Sequence, residues 1–161
     1  MKELTETEAF NKAAAYCSRC EHCLSEVKEK LCQWGVFDEL VHQRIVSQLM
    51  DEGYVDEGRF CRAYVRDKFR FNHWGRQKIA MSLCQKGLPS ALVDDVLDEL
   101  ITDEDASEAA FKVLQAKVKS VRADNPYELY SKLMRFAASR GIERSVAYQA
   151  INRLVDADDD V

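Results

Sequence analysis

Only two prolines and six glycines occur in 161 residues, and no Ser-rich or low-complexity tract is present, so nothing reads as a long linker. No apolar run approaches the roughly 18 residues that a bilayer-spanning helix needs. The amino-terminal MKELTETEAF is too acidic and polar for a secretory signal. The expectation is a soluble, cytoplasmic chain with no membrane partner. Sustained alternation of apolar and polar residues is missing, as are hairpin dipeptides, which weakens any β reading. Phosphate-binding glycine loops, dinucleotide-binding glycine patterns and HExxH are absent, and the three histidines have no Ser or Cys partner at recognisable spacing. No catalytic residue and no cofactor is therefore expected, and the chain reads as a non-enzyme.

What the sequence does contain is a repeat. LCQWG at 31–35 returns as LCQKG at 83–87, and a third glycine closes AASRG at 137–141, giving offsets of 52 and 54 residues. Eight and four residues before each glycine stand Val27 and Leu31, Ile79 and Leu83, Leu133 and Ala137, an i, i+4 apolar face that marks a helix. An apolar residue follows each glycine: Val36, Leu88 or Ile142. This fits a left-handed residue just past a helix end whose successor folds back on the last turn. A second apolar face then begins, with Val41, Ile45 and Leu49, then Val93, Leu97 and Ile101, then Ala147, Ile151 and Val155. Asp38 suits an N-cap and Pro89 a first helical turn.

Ahead of each pair lies another helical stretch, carrying Phe10, Ala14 and Cys17, then Phe60 and Tyr64, then Phe111, Leu114 and Val118. The fold class expected is all-α: three tandem three-helix repeats packed into an elongated or curved array, because three short helices bury little alone. The boundaries expected are a flexible N-terminus over 1–8, repeats over 9–55, 56–102 and 103–155, and an acidic tail over 156–161.

Charge is unevenly spread. Net charge is −5, yet residues 59–86 hold eight Lys or Arg against one acid. Within that stretch Arg59, Arg62, Arg66 and Arg70 are spaced 3, 4 and 4 apart, so on a helix they share about 80° of arc. They form a cationic stripe with only Asp67 as a local acid. HWGRQK then places His73, Trp74, Arg76 and Lys78 at a helix start. There Trp74 either anchors a partner or caps the core between two repeats. The third repeat is basic as well, and Lys132, Arg135 and Arg140 are its candidate partner-binding residues. An anionic partner surface is the functional reading, and a solvated helix face the plain one.

CSRCEHC, with Cys17, Cys20, His22 and Cys23, most resembles chemistry. The spacing does not complete a zinc or iron–sulfur site, since LSE follows Cys23 and no second CxxC pair exists. Three cysteines at i, i+3, i+6 suit packing around a helix turn. Cys32 and Cys84, at matching places in the repeated pentapeptides, are likewise expected to pack. No metal is expected.

The run DEGYVDEGRFCRAYVRDKFRFNHWGRQKIAMSLCQKGL, with the earlier CEHCLSEVKEKLCQWG, resembles the RecX family of recombination regulators. The positions that carry the resemblance are Gly53, Tyr54, Val55 and Asp56, then Phe60, Tyr64 and Arg66, then Gly75, Arg76, Lys78, Ile79, Leu83 and Gly87. Glu57 stands where a second Asp is commoner and Cys61 where a small Ala is common; neither change removes a charge. The resemblance implies tandem three-helix repeats and a monomeric, non-enzymatic protein of DNA repair and the SOS response. It further implies binding to the RecA filament on single-stranded DNA and restraint of its strand exchange, ATP hydrolysis and coprotease activity. The rival expectation is a direct DNA-binding helical module, since an Arg-lined helix in a small helical unit resembles a helix-turn-helix reader.

Overall fold

The protein is described by a computed structural model covering residues 3–159. Among these residues the secondary structure is helical throughout. The helices are α1 (Glu6–Arg19), α2 (Leu24–Gln33), α3 (Glu39–Asp51), α4 (Glu57–Arg70), α5 (Arg76–Gln85), α6 (Ser90–Leu100), α7 (Asp103–Val118), α8 (Pro126–Ser139) and α9 (Arg144–Asp159). They fall into three triples, and the repeated glycine is the corner between the second and third helix of each.

The corners share one geometry. Gly35, Gly87 and Gly141 have φ of 88°, 88° and 74°. Beyond them the N–H of Val36 donates to Leu31 O at 2.9 Å, that of Leu88 to Leu83 O at 3.2 Å, and that of Ile142 to Ala137 O at 3.0 Å. Each glycine N–H donates to the carbonyl three residues back, completing the paired bonds that satisfy a helix C-terminus. A fourth corner of this kind, at Gly53 with φ of 78°, ends α3, and Tyr54 N–H donates to Leu49 O at 2.8 Å. At Gly35 and Gly87 an added Cβ would meet nothing within 4 Å. Gly35→Ala and Gly87→Ala should therefore carry only the left-handed backbone cost, about 1 kcal/mol each by urea unfolding. A neutral result would show that the corner does not require a positive φ.

By packing, the described chain divides into two compact units, one of residues up to 64 with 83–93, the other of 65–82 with 94 onward. The middle triple is thus split between them. In the first unit Ala9, Ala13, Ala14 and Cys17 of α1 bury against Val27 and Leu31 of α2 and Ile45, Val46 and Leu49 of α3. The small α1 residues let the helices approach, while the fully buried Leu31, Ile45 and Leu49 each contribute about 1.5–3 kcal/mol of apolar burial. In the second unit Ala110 and Leu114 of α7 pack with Leu133 and Ala137 of α8 and Ala147, Ala150, Ile151 and Leu154 of α9.

Several local expectations are corrected. The segment 1–8 contains the first turn of α1, because Thr5 Oγ1 accepts Glu8 N–H at 3.1 Å and Ala9 is already core. The acidic segment 156–161 is entered by α9, and its last two residues lie outside the described ones. Pro89 precedes α6 and acts through its carbonyl, which accepts Val93 N–H at 3.1 Å; Pro126 is the proline that opens a helix. Val155 is exposed, because the inward stripe of α9 ends on Leu154. Cys32 and Cys84 are exposed too, so within the pentapeptide only Leu is core and only Gly is the corner. Finally, CSRCEHC is not one helical turn. α1 stops at Arg19, Cys20 is extended at φ −160°, and Cys23 is the N-cap residue of α2.

Candidate partner-binding site

The arginine stripe is real as a helix face but uneven in its surroundings. Asp56 starts α4 by accepting Arg59 N–H at 2.9 Å on Oδ1. The Arg59 guanidinium binds the Glu21 carboxylate and donates to Gly53 O at 2.9 Å, so it is anchored within its own unit. Asp67 is therefore not the only acid available to the stripe, as Glu21 reaches it from outside the helix. Arg62 is half-buried and lies over Gly58, where an added Cβ would stand 3.2 Å from its Nη1. Arg66 and Arg70 are exposed.

Three of the expected residues converge. Arg70, His73 and Arg140 line a groove of about 710 Å³ in the second unit. Lys112 and Lys117 of α7 join them, over an apolar floor that includes Phe69, Val113 and Phe136. Two acids, Asp105 and Glu108, also reach the groove, but both are engaged. Asp105 accepts Thr102 N–H at 3.3 Å in the α7 cap, and Glu108 accepts from Arg153 at 3.1 Å. Arg70, Lys112, Lys117 and Arg140 thus outnumber the two carboxylates, of which Glu108 is already paired with Arg153. The Phe136 ring lies under Lys117 Nζ at 4.9 Å and the Arg140 guanidinium at 5.3 Å. Arg66 and Arg70 also border an adjoining cavity of about 280 Å³ with Val65, Leu100 and Ile101.

A backbone seam holds the groove wall. Gly75 N–H donates to Arg140 O at 2.6 Å and Gln77 N–H to Gly141 O at 3.1 Å. The Arg140 guanidinium donates to Asn72 O at 3.2 Å and Lys78 Nζ to Ser139 O at 3.2 Å. The turn that delivers His73 is tight: its φ is 57°, in the left-handed region uncommon for non-glycine residues. Trp74, left with two readings by the sequence, is half-buried. Lys68 Nζ lies over its ring at 5.0 Å and Lys78 Nζ at 4.5 Å, and it shares a small cavity with Ala110, Ile142 and Val146. That surrounding fits the core-capping role.

The remaining candidates scatter. Arg76 is 18% exposed and forms ion pairs with Asp103 at 2.9 Å and Glu143 at 3.6 Å, so it ties α5 to the third triple. Lys132 binds Glu128 at 2.9 Å and the Arg122 carbonyl. Arg135 is exposed and does not line the groove. Lys112, Lys117, Phe69 and Phe136 were not singled out as site residues. A signal existed: Ala109, Val113 and Ala116 follow one α7 face and make a low surface between taller basic side chains. Among the described residues no group of three or more His, Cys, Asp or Glu is arranged to hold a metal ion. No described helix is long and apolar enough to cross a membrane.

Two family models match the chain, "RecX, second three-helix domain" over residues 56–97 and "RecX, third three-helix domain" over 103–151. The chain is 26% identical to Regulatory protein RecX of Clostridium perfringens strain 13 over 162 residues, which is 97% of this chain and 74% of that one. Against Regulatory protein RecX of Clostridium botulinum strain Eklund 17B, identity is 31% over 133 residues, 79% of this chain and 61% of the relative. Against that of Prosthecochloris aestuarii it is 24%, over 96% of this chain and 99% of the relative. A crystal structure of RecX from Lactobacillus salivarius superposes with a TM-score of 0.82 at 21% identity, covering 92% of this chain and 96% of that one.

Proposed function

Since the chain belongs to the RecX family, we propose that it binds the RecA recombinase filament assembled on single-stranded DNA and restrains strand exchange, ATP hydrolysis and coprotease activity. The observation that carries the site is the groove where Arg70, His73, Lys112, Lys117 and Arg140 surround a phenylalanine-bearing floor. Such a surface suits an anionic partner that also offers apolar contact. The protein acts by occupancy, as a cytoplasmic monomer without a catalytic step of its own. We read its repeats as α1–α3, α4–α6 and α7–α9, close to residues 9–55, 56–102 and 103–155 but with the first opening at the first turn of α1 and the last running on with α9. Repeats in tandem allow more than one weak contact per chain, and effective concentration then turns these into firm binding.

The test is a titration onto RecA filaments formed on single-stranded DNA, using the recombinase of the same organism. ATP turnover should fall at less than one copy per RecA protomer, because one chain engages more than one protomer. No inhibition across that range would count against the assignment. In parallel, binding to bare duplex and bare single strands is measured across salt concentrations. Tight, sequence-selective binding to bare duplex would favour the direct DNA-binding module instead.

A further inference from the structure

The turn between α1 and α2 brings together a thiol, an imidazole and a carboxylate that the proposed function does not use. Cys20 is exposed, and its Sγ lies 3.2 Å from His22 Nε2. His22 Nδ1 faces Glu26 Oε1 at 3.4 Å, and the His22 side chain is only 13% exposed. The Tyr16 ring stacks on the imidazole with centroids 3.7 Å apart and planes 14° from parallel, which limits its rotation. Burial alone would raise the Glu26 carboxyl, but the Cys23 N–H, the Lys86 ammonium and His22 together hold it below its ordinary value. Glu26 is thus a carboxylate at neutral pH, fixed by Cys23 N–H at 3.1 Å and Lys86 Nζ at 3.5 Å. A nucleophile, a base within reach of its proton and a third group beside that base make up the arrangement that activates catalytic thiols.

We propose that Cys20 is a thiol–disulfide exchange site for small-molecule disulfides, with His22 as its general base and Glu26 as the nearby carboxylate that stabilises the imidazolium formed once the proton has arrived. Cys20 Sγ attacks one sulfur of the disulfide as its proton passes to His22 Nε2. The sulfur–sulfur bond of the reagent breaks, a mixed disulfide forms on Cys20, and the departing thiolate takes up one proton. One thiol is consumed and one released, so no further oxidant is needed. The other cysteines of the motif are poor competitors. Burial, reinforced by Glu21, pushes the Cys17 thiol up to about 11, and burial raises that of Cys23. The product would lie beside Glu21, whose carboxylate holds Arg59.

The site stands or falls apart from the RecA reading, because its test contains no recombinase. The intact chain is treated with limiting dithiodipyridine, a neutral disulfide, and labelling of each cysteine is followed by peptide mass spectrometry. Cys32 and Cys84, both exposed, are the internal reference. Cys20 should be labelled at least tenfold faster than either. His22→Asn should erase that advantage while leaving the Cys32 and Cys84 rates unchanged, and Glu26→Gln should reduce it in part. Equal rates at Cys20, Cys32 and Cys84 in the unaltered protein would overturn the proposal without any variant. An advantage that survives His22→Asn would overturn the assigned base.

Discussion

Gly75→Ala is expected to destabilise the fold by about 3 kcal/mol, more than either open glycine corner. A Cβ at Gly75 would run into the Gly141 carbonyl and lie 2.6 Å from Ile142 N. The obstacle is backbone, so no side-chain rotation relieves it. Gly141→Ala should cost at least as much, since its Cβ would clash with Lys78, including Lys78 Cα at 2.8 Å, and its φ of 74° adds the left-handed cost. The seam between Gly75, Gln77 and residues 140–141 would have to open, carrying the His73 turn and Arg140 away from the groove. Urea unfolding followed by tryptophan fluorescence tests this, because Trp74 lies next to the seam. A Gly75→Ala protein as stable as the parent would mean the two backbones do not approach as described.

The double charge reversal R70E/K112E is expected to weaken binding to RecA filaments on single-stranded DNA by about tenfold to a hundredfold, with the fold unchanged. Both residues line the groove from different helices, and both are exposed, so their loss should alter stability by about 0.5 kcal/mol or less. At an anionic surface each reversal replaces attraction by repulsion, and the effect should shrink at higher salt. Arg59 and Arg76 would make misleading probes. Reversing them breaks ion pairs with Glu21 or with Asp103 and Glu143, and any lost binding would be confounded with lost structure. Filament affinity, helicity and melting temperature are measured together. Unchanged affinity in a folded R70E/K112E protein would remove the groove from the interface.

The chain's helices and corners were legible in its letters because each depends on neighbours in sequence. An i, i+4 apolar face needs only its own helix, and a left-handed glycine is a demand made by one residue's backbone, so Gly35, Gly87 and Gly141 could be found by counting. The arginine face of α4 was legible for the same reason. Its environment was not: Glu21 reaches Arg59 only through the fold, and HWGRQK gave no sign that Arg76 would face Asp103 and Glu143 while two lysines lay over the Trp74 ring. Gly75 stood in the sequence only as a letter of HWGRQK at a helix start, yet what requires a glycine there is a carbonyl far along the chain. Cys20 and His22, two apart, match no helical period, and they meet because α1 ends at Arg19 and the extended Cys20 turns its sulfur toward the ring. Periodicity and backbone handedness are local and survive in a string of letters. The joining of Arg70 with Lys112, and of Gly75 with Gly141, was decided only when the helices packed, because each pairing depends on side chains or backbone brought close by elements distant in sequence.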